Sequence, residues 1–148
     1  MPWSSTGSRK SAKLLLAWAC NVFGPGFFMS EHTQSGFSAL GVPPSLQQKI
    51  DRLGFTIPTP IQAQAIPVAL KGRDVIGIAQ TGTGKTLAFG IPMIANLRNI
   101  QNGLVLAPTR ELALQIEDSL RQLGVKTAVL IGGAPMNRQI AQLKARPT

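Results

Sequence analysis

Residues 79–86 read Ala-Gln-Thr-Gly-Thr-Gly-Lys-Thr, and their types and spacing suit them to holding a phosphate chain. Gly82 and Gly84 let the backbone curl so that its N–H groups face phosphate oxygens. Lys85 can reach the β- and γ-phosphates, and the Thr86 hydroxyl can hold Mg²⁺. Lys85 and Thr86 are thus the catalytic candidates and Thr86 the metal ligand, with Ala79, Gln80, Thr81 and Thr83 completing a loop for a nucleoside triphosphate such as ATP. Ala79 departs from the general pattern GxxxxGK[ST], which opens on glycine.

The elements around the loop decide whether the match has meaning. The run 74–79 is apolar and rich in β-branched residues, which predicts a buried strand. After the loop, Leu87, Ile91, Ile94 and Ala95 recur at helical spacing, so a helix is predicted to begin near Lys85. Strand, loop and helix in that order place a helix N-terminus at the phosphates. The bland alternative is a glycine-rich turn with a solvated lysine, and this context disfavours it. Pro92 lies inside the helical stretch and predicts a break or kink near Gly90-Ile91.

At 148 residues, with 44% hydrophobic and 14% charged residues, the chain can bury the core of one domain. One cysteine, Cys20, and one histidine, His32, exclude an internal disulfide and a cysteine-based zinc cluster. A reducing, cytoplasmic setting is the default expectation. Fifteen Lys and Arg against six Asp and Glu give a net charge of +9. That balance suits polyanionic partners, although charge alone serves solubility equally well.

Residues 1–28 differ from the rest. A basic start precedes a seven-residue apolar run at 14–20, then Gly24-Pro25-Gly26. The run is too short to span a bilayer, which takes about 20 residues, and no membrane association is expected. Met29-Ser30-Glu31-His32 reads as a genuine start, with 1–28 an upstream extension without a structural role. Helices are predicted at 45–53, at 60–70 with Ile61, Ala65, Val68 and Ala69 on one face, at 111–123 and at 137–144. Further strands are predicted at 104–107 and 127–131, and the alternation implies an α/β fold with a parallel sheet and flanking helices.

Outside the phosphate loop, residues 54–62 read GFTIPTPIQ, Phe37 stands alone 17 residues before Gly54, 108–113 read PTRELA, and Gly132-Gly133 follows the third predicted strand. In this order, with AQTGTGKT, the motifs resemble those that open a DEAD-box ATP-dependent RNA helicase of superfamily 2 and bacterial type, over about residues 36–148. Alanine at the first loop position is that family's usual choice. The resemblance implies a RecA-like P-loop NTPase domain over 29–148, here incomplete, with a Q motif at 36–62 that recognises adenine. Gln62, 18 residues ahead of Gln80, would pair with the N6 and N7 edge of the base. Phe55 would stack on the base, and Phe37 would support that pocket. Pro108, Thr109 and Arg110, with Gly132 and Gly133, would grip the RNA backbone with little regard to sequence. Taken singly, Gln62 also reads as an exposed helix residue, Arg110-Glu111 as a capping pair and Gly132-Gly133 as a plain turn.

The chain stops at Thr148 without the Asp-Glu-Ala-Asp motif, a Ser-Ala-Thr motif or a second RecA-like domain. The family's magnesium-coordinating and water-activating acids belong to the first of these. Negligible hydrolysis by this chain alone is therefore expected, because positioning and charge neutralisation carry phosphoryl transfer. Apolar strand edges at 74–79 and 104–107 are expected to be exposed. Two other readings are a P-loop NTPase of another class, which GFTIPTPIQ argues against, and a truncated nucleotide-binding fragment without function of its own.

Overall fold

The fold begins with a short 3-10 turn, Phe37–Leu40, that buries Phe37 completely. Five helices follow: α1 (Pro44–Arg52), α2 (Pro60–Leu70), α3 (Lys85–Asn96), α4 (Arg110–Gln122) and α5 (Met136–Lys144). This computed structural model describes residues 36–97 and 102–148. The expectations for residues 1–28 and for a start at Met29 lie outside the described residues.

Local chemistry sets the helix ends. Proline stands in the first turn of α1 and α2, where its missing N–H costs nothing. Thr109 caps α4, its Oγ1 accepting from the Leu112 N–H at 3.2 Å. Glycines in the left-handed region close α1 at Gly54 (φ 80°) and α4 at Gly124 (φ 78°). At each, the glycine N–H and the next N–H return to carbonyls of the last turn: Gly54 to Asp51 and Phe55 to Ile50, Gly124 to Arg121 and Val125 to Leu120.

Two apolar clusters hold the helices. The first joins Phe37, Leu46 and Ile50 to Ile66 of α2, Leu87 and Ile91 of α3 and Leu123 after α4. The second joins Phe89 of α3 to Ile116 and Leu120 of α4. Gly90 permits the close α3–α4 approach, since a Cβ there would lie 2.9 Å from Leu120 Cδ2. Each fully buried aliphatic side chain contributes roughly 1.5–3 kcal/mol.

Three expectations change. First, of the break or kink expected near Gly90-Ile91, the break does not occur: α3 runs continuously through Pro92, which is fully buried. Packing of the ring in the core offsets the lost backbone bond. Second, the most buried face of α2 is Gln62, Ile66 and Ala69, and Val68 is exposed. Ile61, Ala65 and Ala69 line a narrow cleft with Val75 and Gly77. The helix is covered on two sides, and a single apolar stripe describes only one of them.

Third, the segments 74–79, 104–107 and 127–131 form no strand ladder, and no strand is present among the described residues. An apolar pattern marks a segment suited to a sheet, but the ladder requires a neighbour about 4.8 Å away. One face of the first two stands in the open, with Ile76 75% exposed and Leu106 85%, while Val105 and Ala107 between the exposed positions pack against the second cluster. An open cleft of about 1130 Å³, lined by 103–108, 127–132 and α4, lies beside two of them. Just before the third of them, the Thr148 N–H donates to the Lys126 carbonyl at 3.0 Å.

Candidate functional site

The phosphate loop spans the gap between 74–79 and the first turn of α3. Gly82 (φ 80°) and Gly84 (φ 83°) both take the left-handed conformation that the loop's curl demands. Nothing lies within 4 Å of where a Cβ on Gly82 would stand, so the loop is open there. The Thr83 hydroxyl donates to the Gln80 carbonyl at 2.8 Å and braces the turn. The Lys85 ammonium, on the first residue of α3, donates to the carbonyls of Ala79 and Gln80 and so folds back over the loop. Thr86 follows in the same turn of helix, and Thr81 is exposed at the rim.

Gln62 meets this loop from the other side. It is only 3% exposed, which excludes an exposed helix residue. Its Oε1 accepts from the Thr59 N–H at 2.9 Å, and its Nε2 donates to the Gly84 carbonyl at 3.0 Å. One amide therefore joins the start of α2 to the residue before Lys85. Gly84 is required for this approach, because a Cβ there would stand 2.3 Å from Gln62 Nε2. Thr59 was not singled out in the sequence, although Thr59-x-x-Gln62 carries the spacing by which a helix's third residue returns to the cap backbone.

The two aromatic candidates part company. Phe55, set just beyond the glycine that closes α1, is 42% exposed and presents ring surface to solvent. Phe37 is fully buried in the first cluster and presents none.

A second group forms at the start of α4. Pro108 and Thr109 lead into Arg110, the first residue of the helix. The Arg110 guanidinium lies against the glycine pair: a Cβ on Gly133 would be 3.0 Å from Nη1, and one on Gly132 would be 3.3 Å from Nη2. Gly133 has φ 83°. Arg110, Gly132 and Gly133 thus form one surface, although 22 residues separate the first two in the sequence. Gln139 of α5, absent from the sequence-based candidates, bonds to the backbone on both sides of the glycines. No periodicity or motif spacing marks it; only the fold brings it there.

Among the described residues no group of three His, Cys, Asp or Glu could hold a metal ion, and no helix is long and apolar enough to cross a membrane.

Residues 59–148, well over half of the chain, match the family model described as DEAD/DEAH box helicase. The chain belongs to this family. The resemblance read from AQTGTGKT, GFTIPTPIQ and PTRELA is borne out. Among its DEAD/DEAH box relatives, the ATP-dependent rRNA helicase RRP3 of Yarrowia lipolytica is 49% identical over 125 residues, covering 80% of this chain and 26% of the relative. The ATP-dependent RNA helicase CshA of Limosilactobacillus reuteri is 50% identical over 119 residues, covering 75% of this chain and 24% of its own length. The chain spans about a quarter of these relatives.

Solved structures agree. The RNA helicase Prp28 from Chaetomium thermophilum, bound to ADP, aligns with a TM-score of 0.69 at 38% identity, over 76% of this chain and 30% of that one. A DEAD box protein from the hyperthermophile Methanococcus jannaschii aligns at 0.65 and 34% identity, over 73% and 32% of the two chains. The described residues therefore share their fold with part of a DEAD-box helicase.

Proposed function

We propose that this chain supplies the ATP-binding and RNA-binding part of an ATP-dependent RNA helicase that unwinds or remodels RNA. The observation that carries the reading is the bond between Gln62 and the Gly84 carbonyl. It fixes the amide beside a loop built for phosphates, and the second amide hydrogen and second Oε1 lone pair remain to donate to and accept from a base. The relatives' names, and the ADP bound to a structural neighbour, support the same reading.

In this reading Gln62 reads the adenine edge and Phe55 stacks on the ring. Phe37 acts from within the core as a support. Residues 79–86 wrap the phosphates, with Lys85 turning from the loop carbonyls to the nucleotide. The open space at Gly82 and the positive φ at Gly82 and Gly84 fit that role. Thr86 would hold Mg²⁺, which would supply neutralisation of phosphate charge. Arg110 binds the RNA backbone through charge, Thr109 through its hydroxyl and the exposed Gly132 and Gly133 through their N–H groups, with Pro108 leading the chain into that helix start. The described residues within 29–148 belong to one RecA-like unit, here incomplete, whose segments 74–79, 104–107 and 127–131 are suited to a parallel sheet.

Titration of the chain with fluorescent ATP and GTP analogues, alongside Lys85→Ala and Gln62→Ala, tests the proposal. Adenine-selective binding that Lys85→Ala abolishes, and whose selectivity Gln62→Ala removes, is the expected result. Equal affinity for the two bases in the unaltered chain would overturn the role of Gln62 and leave only a general phosphate loop.

A further inference from the structure

We infer that Gln139 is a positioning residue for the backbone-binding surface made by Arg110, Gly132 and Gly133. The inference rests on the reading of that surface as an RNA contact. One side-chain amide makes three bonds that straddle the glycine pair. Its Oε1 accepts from the Ile131 N–H at 3.2 Å, and its Nε2 donates to the carbonyls of Ile131 and Ala134, each at 3.1 Å. Both polar groups of Ile131 are thus paired by a single side chain, much as a neighbouring strand would pair them, in a segment that has no strand ladder. The partners also set the orientation of the amide. Turned over, it would face an N–H with its own donor and two carbonyls with its oxygen.

The clamp matters because little else attaches α5 to this turn. The helix has no buried residue, and Met136, Ile140 and Leu143 are exposed. Apolar burial therefore does not fix α5 against residues 131–134, whereas the Gln139 amide, itself part-buried, does. The held turn is the one on which the Arg110 guanidinium lies, with Gly133 at φ 83° and a Cβ on either glycine crowding the guanidinium. A phosphate that takes charge from Arg110 and N–H groups from the glycine turn needs the two in fixed register. Loss of the clamp leaves three backbone groups to find water and frees the turn, so part of the binding free energy goes into re-ordering it. Gln139 touches no nucleic acid in this account; it acts through the turn and Arg110.

The test measures anisotropy of a labelled single-stranded oligouridylate over a range of salt, using the full chain and its Gln139→Ala, Arg110→Ala and doubly substituted forms. Fluorescent ADP affinity and the thermal unfolding midpoint are read on each protein. Gln139→Ala is expected to weaken RNA binding by about three- to tenfold, the scale of one or two hydrogen bonds, with ADP affinity unchanged. The double variant should bind RNA no more weakly than Arg110→Ala alone, because the two residues act on one contact. Gln139→Met keeps the stem's packing and loses only the three bonds, and it carries the comparison if the alanine variant unfolds. If Arg110→Ala leaves RNA affinity intact, the RNA-contact reading itself fails. If Arg110→Ala weakens RNA while both Gln139 variants do not, or if the effects simply add, that reading stands and the positioning role is overturned. Parallel loss of ADP affinity in both Gln139 variants would overturn it in favour of a general role in folding.

Discussion

Gln62 and Gly84, 22 residues apart in the chain, are joined by a 3.0 Å hydrogen bond from the Gln62 amide nitrogen to the Gly84 carbonyl. The bond exists because residue 84 has no side chain and a φ of 83°; an added Cβ would lie 2.3 Å from that nitrogen. The amide proposed to read the base and the loop proposed to hold the phosphates are thus parts of one hydrogen-bonded unit.

Gly84→Ala should break that unit. The left-handed backbone costs a residue with a Cβ roughly 1–2 kcal/mol, and Gln62 must move away. ATP affinity is expected to fall about tenfold or more, the scale of a lost hydrogen bond plus that strain, and preference over GTP should vanish. Competition titration with the two nucleotides checks this, and retained selectivity would sink it.

At the second surface, Arg110→Ala removes one cation from the proposed RNA site. The slope of log affinity against log salt should become shallower by about 0.7 for a single-stranded RNA. An unchanged slope would show that Arg110 meets no phosphate.

Core positions give a stability series. Ile50 and Ile66 are fully buried in the first cluster, so Ile50→Ala and Ile66→Ala should each cost about 2–5 kcal/mol in urea unfolding. Val68, on the same helix but 36% exposed, should cost less than about 1 kcal/mol when replaced by alanine. Equal losses at Ile66 and Val68 would contradict the observed face of α2.

Lys49 bridges α1 to the end of α4, donating from Nζ to the Leu123 carbonyl at 2.9 Å beside Gly124. Gly124→Ala meets both a φ of 78° and the Lys49 ammonium 2.7 Å from the new Cβ. The ammonium can swing aside, so the backbone dominates, and a loss of about 1–2 kcal/mol is expected. A variant as stable as the parent would remove the left-handed cap from the account of α4.

The exposed segments predict self-association. Ile76 is 75% exposed and Leu104 82%, on stretches with free capacity to pair. Ile76→Lys and Leu104→Lys should shift sedimentation towards monomer without lowering the unfolding midpoint, because charge on a strand edge discourages edge pairing. Unaltered sedimentation would locate any association elsewhere.

Much was legible because it is local. Thr109, Pro44, Pro60 and the glycines at 54, 72 and 124 bound the helices within about one residue of the spans read from periodicity, since caps and closing turns act over four or five residues. The phosphate loop was legible for the same reason: its function is written in consecutive residues. The family followed from four such motifs in order.

Tertiary structure decided what depends on neighbours far along the chain. Pro92 stays helical because the core encloses it, and α2 buries Gln62 and Ile66 because other elements cover that side. Phe37 and Phe55, both aromatic and both near the same motif, differ in exposure, the first fully buried and the second partly open to solvent. Gln139 acquires its three partners only when α5 folds back over residues 131–134. The same limit explains the segments 74–79, 104–107 and 127–131. Their apolar pattern states what they are suited to pair with, but a ladder is a property of two segments, and composition describes only one.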